Sequence, residues 1–347
     1  MMEKRRIQLV GRSTLTVSLP TSWVKEAGVK KGDFVTILQE KDGSLRIIRD
    51  AAGLQSGADV YTINADLCQG KGLIERLIIA GYVKGYDKVK VTSSTRIANE
   101  ALREIRDAEI KLMGLSVVEE EASNVTLQCS INPADFQLDT VIRRLYVLFS
   151  TMLTEAVEAL MNSNMELAEE AEGRELQANR TYALILRLLN QAQKNPEISQ
   201  QANIAVNNAL NMGIIANALE RMADWACKIA REVKRIGNSG IEIGRGIKAY
   251  IRDYGDRIKD VCEKAVKSVF SQDIVMANTA INLFEESLDQ ELYKMIEQLR
   301  VENVHHGFGE LRQIALAMHR IGENAVTIAT TAIDAAATEK THQTRHG

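Results

Sequence analysis

The sequence predicts a multidomain α+β protein with a small β-rich head, a small α/β domain and an all-α bundle. Three observations lead to this fold class. The chain has 347 residues, which exceeds one ordinary domain. Short stretches of alternating polar and apolar residues dominate the first 50 positions, as in strands. Beyond residue 133, apolar residues recur every three or four positions, as in packed helices.

The composition agrees with that division. Hydrophobic residues make up 45% and charged residues 26%, which is typical of a soluble globular protein, and only 5% aromatics favour helix packing over a β-sandwich. The sequence pair Asn132-Pro133 is the clearest boundary, because proline suits a helix start and disfavours helix in the residue before it. We therefore predict domains at 1–50, 51–132, 133–240 and 241–340.

Charge is distributed unevenly along the chain. Residues 1–50 carry 10 lysines and arginines against 6 acids, a net charge of +4. Residues 51–133 have a net charge of -2, and residues 134–340 have -6. A basic head on an acidic body favours a head that meets an anion, DNA included.

The head reads as four short strands around one helical turn. Thr21 or Ser22 is expected to cap the helix, and Gly28 to end it in the left-handed conformation. A turn at 41–44 joins the last two strands into a hairpin. The predicted strands are 7–10, 14–19, 34–38 and 45–48.

From Ile7 to Ile48 the chain resembles the SpoVT/AbrB swapped-hairpin family, through STLTVSLP, a short helix ending in AGV, and KKGDFVTI. The resemblance implies a homodimer in which two chains interlock into one small barrel. It also implies DNA contact by the basic residues beside the first hairpin; the alternative is a solvated N-terminus that only aids solubility. Fifty residues bury little core alone, so dimerisation is expected on physical grounds too. The DNA-binding candidates are Lys4, Arg5, Arg6 and Arg12.

Residues 59–131 alternate strand and helix in the order β-α-β-α-β-β, which predicts a small two-layer domain. Gly70-Lys71-Gly72 precedes a helix and suggests a phosphate-binding turn. It lacks the GxxxxGK[ST] pattern, however, and a lone GKG is common by chance, so nucleotide binding is not favoured. The predicted strands are 59–63, 88–92, 115–118 and 124–131, and the helices are 70–83 and 95–111.

The bundle is a repeat of three helices. Residues 155–165 align with 264–274, and Ala218–Asp224 aligns with Ala317–Glu323. The third helix of each repeat carries an apolar stripe with steps of four and three, the seam of antiparallel bundle packing. The predicted helices are 134–161, 165–193, 198–236, 247–270, 273–300 and 308–337.

Acidic pairs border these seams. Glu220 and Asp224 are four residues apart and so share one helix face, and His319 and Glu323 take the equivalent places in the second repeat. Such carboxylates repel each other unless a cation, a proton or a basic side chain compensates. The remaining acidic candidates are Glu175, Glu285 and Asp289, with Asn179 one turn beyond Glu175.

The sequences LERMADWACKIA at 219–230 and MHRIGENAVTIA at 318–329 resemble the repeated acidic ExxxD element of the PhoU family. This resemblance covers about 134–337. It implies a metal on the bundle, divalent or ferric (iron, zinc or magnesium), at Glu175, Glu220, Asp224, Glu285, Asp289, His319 and Glu323. It also implies restraint of phosphate uptake and phosphate-responsive signalling.

The second element departs from the family pattern, because His319 and Glu323 replace Glu and Asp, and Asn179 replaces an acid. An all-oxygen site is then no longer assured, although His and carboxylate can still ligate iron or zinc. The alternative is that these acids are boundary residues paired with Arg221, Arg320 or Lys228.

No motif for catalysis emerges. The single Glu-x-x-His match, Glu302 to His305, falls at a helix end, whereas di-iron bundles need two such motifs. Cysteines at 68, 129, 227 and 262 form no CxxC pair, which indicates reduced thiols in the cytoplasm, and no apolar run suggests a signal peptide or a membrane span. The sequence predicts a non-enzymatic, DNA-binding regulator of phosphate uptake and homeostasis. The alternative is an adaptor that docks on a phosphate transporter or sensor kinase without touching DNA.

Overall fold

The computed structural model describes residues 3–39, 43–49, 59–301 and 307–337. Contacts divide the chain into two compact units, Met1–Asp59 and Val60–Gly347. The small sheet and the helical bundle therefore belong to one unit. The finer division into four domains stays a prediction.

The first unit contains two antiparallel hairpins. Strands β1 (Gln8–Val10) and β2 (Thr14–Thr16) pair with each other, as do β3 (Val35–Gln39) and β4 (Leu45–Arg49), with helix α1 (Thr21–Glu26) between the hairpins. Gly28 has a φ of 63°, which confirms the left-handed helix end. The capping prediction was wrong: Pro20 holds the N-cap position, and no side chain caps α1. Thr21 and Ser22 are exposed, so water can satisfy the first amides of this helix in place of a capping side chain.

No side chain of the described part of the first unit is buried. Large apolar residues face solvent instead: Leu9 is 64% exposed, Leu15 67% and Phe34 79%. A hairpin pair without a core cannot offset the entropy of ordering its chain. The described part of this unit therefore has no apolar core of its own.

The second unit begins with a four-stranded sheet and two helices. In chain order these are β5 (Val60–Asn64), α2 (Leu73–Val83), β6 (Lys88–Thr92), α3 (Asn99–Lys111), β7 (Leu115–Glu120) and β8 (Asn124–Cys129). The strand order is β5-β6-β8-β7, with β5 and β6 parallel and the other pairs antiparallel. This confirms the predicted order of elements. Ile78, Tyr82 and Leu127 lie fully buried between the layers.

Helices then follow to the end of the described chain. They are α4 (Leu138–Asn162), α5 (Met165–Gly173), α6 (Glu175–Lys194), α7 (Pro196–Gln201), α8 (Ala209–Asn238), α9 (Arg245–Ser271), α10 (Ile274–Leu283), α11 (Asp289–Val301) and α12 (Phe308–Ala337). Three predicted helices are interrupted. The predicted helix 165–193 breaks at Arg174, 198–236 breaks between the end of α7 at Gln201 and the start of α8 at Ala209, and a π-helical turn at Phe284–Leu288 divides 273–300. None of the helices in the described ranges is both long and apolar enough to cross a membrane.

The duplication is visible in the helix ends. Ser163 ends α4 with a φ of 52°, and Gln272 ends α9 with a φ of 54°. Each is followed by a side chain that caps the next helix: Asn164 accepts from the amide of Leu167, and Asp273 accepts from two amides of α10. Both pairs are separated by the 109 residues of the sequence repeat.

The third helices, α8 and α12, pack along each other at the centre of the bundle. All twelve residues of the two predicted seams are buried, which confirms the seam. They are Ile215, Leu219, Met222, Ala226, Ile229 and Val233 on α8, and Ile314, Met318, Ile321, Ala325, Ile328 and Ala332 on α12.

Side chains of helix α6 form hydrogen bonds that connect the sheet domain to the bundle. Arg187 donates from Nη1 to the carbonyls of Tyr82, at 2.8 Å, and Tyr86, at 2.9 Å. Lys194 Nζ donates to the carbonyl of Lys84 at 2.9 Å. The carbonyls of Tyr82 and Lys84 lie at the C-terminal end of α2, where the helix dipole favours cations, and Tyr86 follows in the turn after it.

Candidate functional site

The acids of the first repeat come together at the border of the α8 seam. Burial, and then the charge of Asp224, raise the pKa of Glu220 from its usual 4.5 to about 7. Burial and the charge of Glu175 raise the pKa of Asp224. Glu175 is the first residue of α6, and its charge raises the pKa of both Glu220 and Asp224. Their ionised forms oppose one another.

The direct ion-pair partner of Glu175 is Arg231, an arginine that the sequence analysis did not name. Arg231 Nη2 lies 2.6 Å from Glu175 Oε2, and its Nε donates to Glu172 at 2.8 Å. Arg221 donates to the Asn217 amide oxygen at 3.3 Å, and the Lys228 ammonium lies 5.2 Å from the centre of the Trp225 ring. Among the described residues, neither Arg221 nor Lys228 forms an ion pair with these acids, but the Arg221 charge lowers the pKa of both Glu220 and Asp224.

In the second repeat, His319 is 8% exposed. Its Nε2 lies 3.4 Å from Asp289 Oδ1 and 3.8 Å from Glu323 Oε1, while Nδ1 lies 3.4 Å from the Tyr254 hydroxyl. Burial lowers the pKa of His319, although both carboxylates oppose that shift. Glu323 also accepts from Arg320 Nη1 at 2.6 Å, which is the pairing with Arg320 that the sequence suggested.

Glu285 does not join this cluster. It lies within the π-helical turn, whose wider spacing alters the α-helical relation expected between Glu285 and Asp289. The side chain of Glu285 forms no hydrogen bond or ion pair with any residue that the structure describes. The π turn arises where Phe284 packs against His319, with ring centres 5.2 Å apart.

The side chains as placed do not form a metal-ligand set. Within residues 3–39, 43–49, 59–301 and 307–337, no group of three or more His, Cys, Asp or Glu could hold a metal ion. Glu175 is held by Arg231, and Glu323 by Arg320. Asn179 Oδ1 is buried without a hydrogen-bond partner among these residues. The iron, zinc or magnesium site stays a prediction.

The basic candidates of the head are all exposed. Lys4, Arg5 and Arg6 precede β1, whereas Arg12 lies in the turn after it. Arg5 pairs with Glu3 at 2.6 Å and donates to Ser18 at 3.3 Å, which places it at the open end of the first hairpin. The four cations therefore lie at both ends of this hairpin rather than in one cluster.

The Gly70-Lys71-Gly72 turn has an internal anion. Glu104 of α3 accepts from the backbone amides of Gly72 at 2.6 Å and Ile74 at 3.0 Å, at the N-terminus of α2. A carboxylate thus occupies the position that a bound phosphate takes at such a helix start.

The Glu302 to His305 motif lies outside the described residues. The four cysteines are free.

Two parts of the chain are similar to known families. A model of the PhoU domain matches residues 142–233, which span α4 to most of α8. A model of the antidote-toxin recognition domain MazE, a bacterial antitoxin, matches residues 8–55. The chain carries a PhoU domain after a MazE/AbrB-like domain.

Two solved structures share the fold of the bundle. PhoU from Pseudomonas aeruginosa is 19% identical, with a TM-score of 0.51 over 56% of this chain and 93% of that one. The phosphate transport system regulatory protein PhoU from Streptococcus pneumoniae is 15% identical, with a TM-score of 0.51 over 58% of this chain and 94% of that one. At these identities the likeness shows the fold alone. No curated protein matches the chain.

Proposed function

We propose that this protein is a non-catalytic, cytoplasmic regulator of phosphate uptake and phosphate homeostasis. Its head binds DNA as a homodimer, and its PhoU-type bundle reports phosphate status. One observation carries the proposal: a basic, core-less MazE/AbrB-like head and a PhoU domain share one chain.

The exposed apolar surface of the head favours dimerisation. Apolar side chains that are exposed in one chain become buried when a second copy interlocks with it, at about 25 cal/mol per Å². Leu9, Leu15 and Phe34 supply such surface. The same exposed hairpin carries Arg5 and Arg12, so dimer formation doubles the basic ends that a DNA backbone would meet.

The adaptor alternative has its own support. The bundle exposes large apolar side chains, with Leu210 75% exposed, Val275 72% and Tyr293 72%. The adaptor needs some of these side chains to form one continuous apolar patch, since singly scattered ones are common on protein surfaces. In this alternative the partner is a phosphate transporter or a sensor kinase, and the head serves only to dimerise the chain.

Electrophoretic mobility shift at graded salt separates the two functions. A DNA regulator loses affinity steeply as salt rises, with a slope of about 0.9 per phosphate contact, and prefers some sequences. The triple variant Arg5→Ala, Arg6→Ala and Arg12→Ala should bind weakly and with a smaller slope. The matched control replaces Lys25, Lys30 and Lys31, which are also exposed in the head, and removes the same charge.

Two results would overturn the DNA role. One is equal affinity for all sequences at every salt concentration, which the adaptor predicts. The other is equal loss of binding in both triple variants, since that would reflect net charge rather than a surface beside the first hairpin.

A further inference from the structure

An open groove of about 680 Å³ runs along the outer face of α8. Nine side chains line it, and four of them are cations: Arg221, Lys228, Arg231 and Arg235. Its volume lies within the range of about 300–1,000 Å³ that small-molecule sites occupy. The groove lies beside the acids of the first repeat, with Asp224 and Glu175 in its wall.

Two of the four cations are already neutralised. Arg231 pairs with Glu172 and Glu175, and Arg235 pairs with Glu232 at 2.9 Å. Arg221 and Lys228 form no ion pair with any residue that the structure describes. The Arg221 charge acts at longer range on Glu220 and Asp224, whose pKa values it lowers. Both cations thus keep their hydrogen-bond donors free of a carboxylate partner among the described residues.

The helix brings these two cations to the same side. Positions 221 and 228 are two turns apart on one face, about 10.5 Å along the axis. Trp225 lies between them, with the Lys228 ammonium 5.2 Å from its ring centre. The Arg221 Nε is held by Asn217, so its two terminal nitrogens remain as donors. Side chains of this length can reach one anion placed over the indole.

We propose that this groove binds a phosphate oxyanion between Arg221 and Lys228, either as inorganic phosphate or as the phosphoryl group of a larger ligand. The proposal deepens the proposed function, on which it rests for its physiological meaning. It would make the bundle a direct receptor for phosphate chemistry.

The carboxylates in the wall favour phosphate over other oxyanions. Hydrogenphosphate carries an O–H that Asp224 can accept, while its other oxygens accept from the two cations. Sulfate has no proton at neutral pH, so its charge would meet that of the carboxylate without a compensating hydrogen bond. A mixed lining of cations and acids thus selects a protonated anion.

Trp225 provides a direct readout. The chain has two tryptophans, so Trp23→Phe leaves Trp225 as the only indole. The Trp23→Phe protein is titrated with inorganic phosphate, with ATP and with sulfate at constant ionic strength, and the fluorescence of Trp225 is recorded. Isothermal titration calorimetry measures the heat of each titration. We expect a saturable change with phosphate or with ATP, and none with sulfate. Binding of ATP alone would assign the phosphoryl group of a larger ligand.

Two charge-removing variants test the residues. Arg221→Gln and Lys228→Gln should each weaken binding about 10- to 100-fold, since each removes a charge-assisted hydrogen bond. Lys267→Gln on α9, an exposed cation away from the groove, should leave affinity unchanged. Circular dichroism checks that all three variants keep their helix content.

Three results overturn the proposal: no saturable signal or heat with phosphate or ATP, equal affinity for sulfate, or unchanged affinity in both groove variants. Failure of the proposed function is separate, because DNA retention is measured on the same protein. Phosphate binding without DNA binding would support the groove as a phosphate site and rule out the transcriptional role. DNA binding without phosphate binding would support the transcriptional role and rule out the phosphate site.

Discussion

Arg187 is a buried cation with no carboxylate partner among the described residues, and replacing it by methionine tests how the sheet domain is held. Its side chain is 1% exposed. Nη1 serves two carbonyls, those of Tyr82 and Tyr86, and the guanidinium lies 5.0 Å from the centre of the Tyr82 ring. The Tyr82 carbonyl, which also accepts from the Gly85 amide at 3.0 Å, lies at the end of α2, and Tyr86 follows in the turn after it.

The expected cost follows from those contacts. A hydrogen bond from a charged donor contributes about 1.5–3 kcal/mol, and a cation at a partly buried helix end up to about 2 kcal/mol. Methionine keeps the apolar stem and removes the desolvation of a buried charge, which offsets part of the loss. We expect Arg187→Met to lower the free energy of unfolding by about 2–4 kcal/mol. Lys194→Met, which removes an exposed bond to the same helix end, should cost less than about 1 kcal/mol.

Two measurements separate attachment from general stability. Urea unfolding gives the free energy, and hydrogen exchange gives the protection of amides in residues 60–129. Arg187→Met should speed exchange in α2 and the sheet more than in α8 and α12. Two results would refute this account of the attachment. One is that Arg187→Met lowers the free energy of unfolding no more than Lys194→Met does; the other is that exchange rises equally in the sheet domain and in the bundle.

Three further predictions concern packing, pH and assembly. Gly322→Ala should lower the free energy of unfolding by at least about 1–3 kcal/mol, measured in urea, because the added Cβ would overlap the Phe284 ring. The control Gly309→Ala, which has open space at its Cβ, should change the free energy of unfolding by less than about 0.5 kcal/mol. Folding raises the pKa of Glu220 from 4.5 to about 7, so its ionisation removes stability as pH rises through that window. Glu220→Gln should therefore unfold like the parent at pH 4 and be about 1–3 kcal/mol more stable at pH 8; equal stability at both pH values would contradict this. Leu15→Asp should convert a dimer into a monomer in sedimentation velocity, and an unchanged dimer would show that the first hairpin is not the interface.

Apolar periodicity was enough to predict the bundle and its seam. Burial of a helix face repeats every three or four residues, so the stripes from Ile215 to Val233 and from Ile314 to Ala332 identify the packed side before any contact is known. Short-range signals also predicted β6 to the residue and the left-handed Gly28.

Partner choice was not predictable, because it depends on residues far apart in the chain. Glu175 pairs with Arg231, 56 positions away, and Arg187 reaches a carbonyl 105 positions away. Periodicity places each side chain on a face but does not say which opposite charge lies across it. The π turn at Phe284–Leu288 was missed for a similar reason, since its fit against His319 is tertiary.

Genome-wide DNA retention in phosphate-replete and phosphate-starved cells tests the central claim most directly. The protein should be retained at a limited set of sites near genes of phosphate uptake, and its occupancy there should change with phosphate supply. Retention should be lost in the Arg5, Arg6 and Arg12 alanine variant and kept in the Lys25, Lys30 and Lys31 control. Absence of enriched sites in both conditions, together with unaltered phosphate uptake in cells lacking the protein, would contradict the account.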